Sequence, residues 1–239
     1  MIIAKFVSVV ILGYLLGSIP FGLLVAKRQA KVDVRQHGSG RTGATNVFRT
    51  AGGKAAALVA CLDILKGVLA VVFAGLIVSG DYLIVGNIGL GSLVAQVMAA
   101  LAAIVGHIWP VFLGFHGGRG VATFLGGLIA LCPPAAILGG EIMIIGAGLT
   151  GYASLGSIAA AVGSYAILVP LHILNGFPIE YLAYALIGAV IVITMHRGNI
   201  TRLVAGKERK LGDKAEKNLA PATDPESTDF QESPTGTQR

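Results

Sequence analysis

Apolar runs long enough to cross a bilayer recur along most of the chain, and no other feature restricts its fold so severely. They cover roughly 3–26, 54–78, 82–106, 121–132, 134–150, 155–174 and 178–195. A helix rising about 1.5 Å per residue needs about twenty residues for a hydrocarbon layer about 30 Å thick. Backbone groups in that layer find no water, so runs of this kind must be helical. The fourth and fifth are separated only by Pro133-Pro134, a pair that ends a helix. Together they are too long for one crossing, so seven helices are expected rather than six. Composition excludes a soluble domain, since 13% of residues are charged against about 25% for soluble chains. The first run, preceded by Lys5, continues through Gly17-Ser18-Ile19-Pro20 without a convincing small-residue cleavage site. It reads as a retained span rather than a cleaved signal peptide.

The basic residues orient these helices. Lys27, Arg28, Lys31, Arg35, Arg41, Arg49 and Lys54 lie between runs one and two, Arg119 between three and four, and Arg197, Arg202, Lys207, Arg209, Lys210, Lys214 and Lys217 after run seven. The alternate connections, 79–81, 133–134 and 175–177, hold no Lys or Arg. By the positive-inside rule the N-terminus is expected outside and the C-terminus in the cytoplasm, which requires an odd number of spans. The net charge of +6 is therefore topological and interfacial, and no aromatic-basic module supports nucleic-acid binding. Cys61 and Cys132 lie in apolar runs and form no disulfide or metal spacing. Residues 1–211 are expected to form one transmembrane domain. Residues 212–239, rich in Lys, Glu, Asp, Pro, Ser and Thr, are expected to be a disordered cytoplasmic tail.

Polar chemistry concentrates in the basic connections. The first reads His37-Gly38-Ser39-Gly40-Arg41-Thr42-Gly43-Ala44-Thr45-Asn46-Val47-Phe48-Arg49. Its glycines match a dinucleotide fingerprint in spacing, but the strand and βαβ context that give that fingerprint meaning are missing. Glycines still let backbone N–H groups converge on an anion, and Ser39, Thr42, Thr45 and Asn46 add neutral donors. Arg41 and Arg49 add cationic forks suited to phosphate. The competing reading is a loop whose cations only touch anionic lipid. The second connection, Gly106 to Thr123, repeats the recipe with Gly117, Gly118 and Gly120 around Arg119 at the start of a span. Ser154-Leu155-Gly156-Ser157 and His196-Arg197-Gly198-Asn199 complete the same face. Two anion-binding loops and two polar helix ends suggest one site for two phosphate-bearing molecules. Asp63 and Lys66 lie three apart on one face within a span, where charge is costly; they either satisfy each other or serve the site, and His107 and His196 are candidate bases. No Ser-His-Asp order or His-x4-Asp arrangement appears.

On these motifs the chain closely resembles the PlsY family of bacterial membrane acyltransferases over about residues 7–210. The resemblance rests on Gly17-Ser18-Ile19-Pro20, the loop from Gly38 to Arg49, Asp63-Ile64-Leu65-Lys66-Gly67, Gly106-His107 through Thr123, Ser154-Leu155-Gly156-Ser157, and His196-Arg197-x-Asn199-Ile200 with Arg202-Leu203. It implies an all-α, seven-span protein of the bacterial inner membrane with a cytoplasmic active site. It further implies transfer of a fatty acyl group from acyl phosphate to the 1-hydroxyl of glycerol-3-phosphate, giving lysophosphatidate and phosphate, with no cofactor or metal. By motif position, Ser39, Gly40, Arg41, Thr45, Asn46 and Arg49, with Gly117, Gly118, Arg119 and Gly120, would bind phosphate. Ser154, Ser157, His196 and Asn199 would be catalytic. A monomer is expected. Arg41, Arg119, Gly151 and Met195 stand where the family usually has Asn, Lys, a basic residue and often Arg. The gain at Arg41 and loss at Gly151 predict that one cation is supplied from a different loop. The rival class is a transporter for phosphate esters, which calls for midplane polar groups and access from both sides.

Overall fold

The computed structural model describes residues 1–85 and 88–218; the expected tail from 219 onward lies outside them. The first apolar run forms α1 (Ile2–Ser18) and α2 (Phe21–Ala30). Pro20 causes the break: the residue before a proline is driven out of the helical region, and Ile19 adopts φ −61°, ψ 118°. An amphipathic helix, α3 (Ala44–Ala51), follows the first loop, and Gly52 turns the chain into α4 (Gly53–Ile77).

The third apolar run differs from expectation at its start. Residues expected to begin a span at 82 instead form β1 (Leu83–Val85) and β2 (Ile88–Leu90), antiparallel with Leu83 opposite Leu90. Leu83-Ile84-Val85 suits extended backbone, while Gly89 and Gly91 carry helix penalties of about 1 kcal/mol each. The helix, α5, starts at Ser92 and runs to Ile108.

Next come α6 (Val121–Leu131) and α7 (Pro133–Thr150), divided at Cys132 as the prolines require. At 11 residues, α6 is about 16 Å long, half a hydrocarbon layer. Helices α8 (Ala153–Asn175) and α9 (Ile179–Met195) complete the bundle. A short α10 (Arg197–Val204) turns away from α9 by 60°. Among the described residues five helical segments are long and apolar enough to cross a membrane, and α9 with its bent continuation makes six. Among the described residues the chain is thus an all-helical membrane protein apart from one antiparallel strand pair.

Small residues set the packing distances. A Cβ on Gly13 or Gly17 of α1 would collide with the Ala99 or Ala103 carbonyl of α5, and one on Gly67 or Gly126 would collide across α4 and α6. These small-residue stripes are consumed within the chain, where close backbone approach takes the place of a hydrophobic driving force. The main core joins α5, α6, α8 and α9, with Phe124 stacked on Tyr184 at 5.5 Å between ring centroids. The Tyr184 hydroxyl donates to the Phe124 carbonyl at 2.9 Å.

The two ends of the bundle differ. At one, Lys5 pairs with Asp81 just before the hairpin. At the other, all the basic connections converge. Residues 212–218, grouped with the polar tail by composition, run back along the first loop there. Ala215 N–H donates to the Arg49 carbonyl (3.2 Å), Gly38 N–H to that of Glu216 (3.0 Å), and Asn218 N–H to that of Gln36 (2.7 Å). Unsatisfied loop backbone supplies the partners that hold this polar segment.

Candidate active site

Asn46 organises the first loop. Its side chain is buried, its amide nitrogen donates to the carbonyls of Val34 (2.9 Å), His37 (3.1 Å) and Arg41 (2.9 Å), and its oxygen accepts from Ser39 N–H (3.2 Å). Its hydrogen-bonding capacity is spent on the loop, so it shapes the site rather than offering free donors. The loop sends Ser39, Arg41, Thr45 and Arg49 to a cavity of about 180 Å³. Gly40, at φ 67°, helps turn the loop and does not line that cavity.

The second connection departs from the expected backbone cradle. Gly117 and Gly118 N–H groups donate back to the carbonyls of Ile108 and His107, each at 3.0 Å. A Cβ on Gly117 would strike the His107 carbonyl, and one on Gly118 the His107 ring. These two glycines permit close approach to α5; they do not aim N–H groups at an anion. Arg119, Gly120 and the first turn of α6 do face the cavity, and the N–H groups of such a turn lack intrahelical partners.

Ser154, Ser157, His196 and Asn199 reach the same cavity from the ends of α8, α9 and α10. Ser157 Oγ donates to the Ala153 carbonyl at 2.8 Å. His196 is buried at the α9–α10 corner, where its Nδ1 donates to the Val192 carbonyl at 2.8 Å, leaving Nε2 as the acceptor. Burial, and then the nearby Arg119 charge, lower its pKa to about 4, so the ring is neutral at physiological pH. Asp63 and His107 line the cavity's inner wall; Lys66 lies behind them, 2.8 Å from Asp63 Oδ1 and 3.3 Å from the Ile19 carbonyl. The proline break in the first span thus frees a carbonyl that receives the buried ammonium. Among the described residues no group of three His, Cys, Asp or Glu side chains can hold a metal ion.

The electrostatics call for an anion. Burial, followed by the Arg41 charge, lowers the Arg119 pKa to about 10; burial also lowers Arg41 and Arg49, aided by Arg197 and Arg209 respectively. All three remain charged at neutral pH, and their shared depression means that added negative charge stabilises them. The Nε of Arg49 is buried without a partner among the described residues. The cavity lining also includes the apolar side chains of Ala60, Ile64, Leu125 and Met143. A wider cavity of about 580 Å³ adjoins it, sharing Ser39, Arg41, Arg49, Arg119, Asn199 and Glu208.

Glu208 escaped the sequence reading. Its Oε1 accepts from Ser154 Oγ (2.9 Å) and Asn199 Nδ2 (2.5 Å), and its Oε2 from Arg202 Nε (2.8 Å). Burial raises its pKa, but those hydrogen bonds outweigh burial and hold it below the ordinary value. The available signal was a lone acid among five Lys and Arg between 197 and 210. Of the two positions named for a cation exchange, Arg41 reaches the Gly118 carbonyl at 3.4 Å, and a Cβ on Gly151 would lie 3.9 Å from the Lys210 side chain.

The family model described as glycerol-3-phosphate acyltransferase matches residues 7–206. A glycerol-3-phosphate acyltransferase 3 of Dehalococcoides mccartyi is 63% identical over 215 residues, 90% of this chain and 100% of that one. A glycerol-3-phosphate acyltransferase of Halalkalibacterium halodurans is 45% identical, covering 87% of this chain and 96% of its own. The crystal structure of PlsY (YgiH), an integral membrane glycerol 3-phosphate acyltransferase in its glycerol 3-phosphate form, superposes with a TM-score of 0.73 at 36% identity, covering 86% and 94% of the two chains. Family model, relatives and fold thus agree, and the chain belongs to the PlsY family of glycerol-3-phosphate acyltransferases.

Proposed function

We propose that this protein transfers a fatty acyl group from acyl phosphate to the 1-hydroxyl of glycerol-3-phosphate, releasing lysophosphatidate and inorganic phosphate. The observation that carries this reading is a single cavity lined both by Arg41, Arg49 and Arg119 and by the apolar Ala60, Ile64, Leu125 and Met143. One pocket lined by both cationic and apolar side chains suits a phosphate joined to a fatty chain.

An acyl phosphate is already activated, so alignment and charge stabilisation are the main demands on the protein. The acceptor's 1-hydroxyl oxygen bonds to the acyl carbon, the bond from that carbon to the phosphate oxygen breaks, and phosphate departs onto the guanidinium groups. The first turn of α6 is suited to stabilise the developing oxyanion, while Ser154, whose one hydroxyl hydrogen goes to Glu208, helps to shape the pocket. The hydroxyl proton goes to a phosphate oxygen, because His196, with a pKa of about 4, is a weak base at neutral pH. Ser39 and Thr45 orient phosphate, and Ser157, Asn199 and His107 shape the pocket.

The reading includes a monomeric catalytic domain over residues 1–211, followed by the tail, in the bacterial inner membrane. The reading takes seven spans, the N-terminus outside and the site on the cytoplasmic side; in support, the Lys and Arg-rich connections converge at the site's end of the bundle. The test is purified protein in detergent supplied with palmitoyl phosphate and glycerol-3-phosphate. Stoichiometric phosphate and lysophosphatidate are expected, with slower release from Arg119→Ala. A folded preparation without turnover refutes the reaction.

A further inference from the structure

The reaction above leaves a buried carboxylate, Glu208, without a role. It belongs to a strap that leaves α10 at Gly206, passes beneath Arg49, whose Nη2 donates to the carbonyls of Arg209 (3.1 Å) and Lys210 (2.7 Å), and is fastened to Gly151 by Leu211 N–H (2.7 Å). The side chain is 5% exposed and lines both cavities. Placing an acid between three guanidinium groups works against phosphate binding, since it offsets the charge that attracts the anion. A carboxylate has about four acceptor positions and, when ionised, no donor. Ser154, Asn199 and Arg202 use three, leaving capacity that only a hydrogen-bond donor can fill. Of the polar groups on a phosphorylated polyol, the hydroxyls alone donate. The primary hydroxyl is consumed in the reaction, which leaves the secondary one.

We propose that Glu208 is a specificity-determining residue that receives the secondary hydroxyl of the acceptor, turning its phosphate toward Arg41, Arg49 and Arg119. This rests on the reading that a glycerol phosphate is the acceptor. Dihydroxyacetone phosphate keeps the primary hydroxyl and phosphate but carries a carbonyl at the middle carbon. That carbonyl has no hydrogen to give and sets its lone pairs against the carboxylate. The pocket therefore discriminates by the chemistry of one carbon.

The test is calorimetric binding of glycerol-3-phosphate, dihydroxyacetone phosphate and inorganic phosphate to the full chain in detergent, for wild type, Glu208→Ala and Glu208→Gln. Wild type is expected to prefer glycerol-3-phosphate over the ketone by about tenfold to a hundredfold, the scale of one hydrogen bond to a charged group. Both variants are expected to reduce that ratio toward one while holding inorganic phosphate as tightly as wild type or more so, because a negative charge has gone. The amide variant keeps the shape of the side chain and guards against loss of fold in the alanine variant. A wild type that does not discriminate overturns the proposal. So does a variant that discriminates fully, or one that loses inorganic phosphate in parallel, which marks a merely structural role for the strap. Turnover with palmitoyl phosphate is measured on the same preparation, so discrimination without turnover supports this assignment while refuting the acyl-phosphate reaction.

Discussion

Removing the carboxylate of Asp63 is expected to destabilise the bundle far more than a typical substitution. Asp63 is 1% exposed and Lys66 2%, their charged atoms lie 2.8 Å apart, and His107 Nδ1 lies 3.4 Å from the same carboxylate oxygen. At an effective dielectric of about 20, that separation corresponds to a gross attraction of about 6 kcal/mol, most of it offset by desolvation. Asp63→Ala removes the attraction but leaves the ammonium buried, with the Ile19 carbonyl at 3.3 Å and the Phe21 ring centre at 5.8 Å as its remaining neighbours. Breaking a buried pair this way costs about 3–5 kcal/mol. In a chain of this size that lowers Tm by about 6–20 °C. The assay is thermal unfolding in detergent followed by size-exclusion retention, with the double variant Asp63→Leu/Lys66→Met completing a cycle. The double variant is expected to regain most of the loss, because neither charge is then buried alone. A single-variant loss below about 1 kcal/mol, or a double-variant loss equal to the sum of its parts, refutes the reasoning.

His196 carries a pH dependence of definite sign. Its pKa of about 4 lies below its ordinary 6.5, so on acidification the unfolded chain takes up the proton first. Stability is then lost as pH falls from about 6.5 to 4, by about 3 kcal/mol in total, and His196→Gln flattens that part of the Tm-against-pH curve. Arg49→Met removes both side-chain bonds to the strap, and limited trypsin digestion is expected to cut between Lys207 and Lys217 at least several-fold faster than in wild type. Equal rates refute the latch role. Arg41→Asn lowers activity, and adding Gly151→Arg is expected not to restore it, because Gly151 sits at φ 76°, a strained backbone for any side chain. Recovery in the double variant supports an exchange of cations between the loops.

Much of the site was legible because bilayer chemistry segregates residues harshly. Arg119, Ser154, His196 and Asn199 stand at the ends of long apolar runs, and Arg41 and Arg49 lie in the glycine loop; all six reach the two adjoining cavities. The hairpin at 83–90 was not legible, because a short apolar stretch has no period that separates a strand from a helix start. The roles of Asn46, Gly117 and Gly118 were misjudged for a related reason. A donor or a glycine in a polar loop serves a ligand and its own backbone equally well, and only the paths of neighbouring carbonyls decide between them. Glu208 was hidden because its partners Ser154 and Asn199 lie 54 and 9 residues away, and sequence spacing carries no trace of such a contact.

The sequence by itself determined a helical membrane protein with its basic connections on one side, and the families of motif that those connections carry. Burial in lipid leaves the backbone one local solution, and that solution is written in composition and run length. The tertiary structure alone decided that Lys66 donates to the carbonyl freed before Pro20, and that an acid from the strap enters a pocket built for anions. Each of these depends on a distance between residues far apart in the chain, set by how closely glycine-lined helices approach one another.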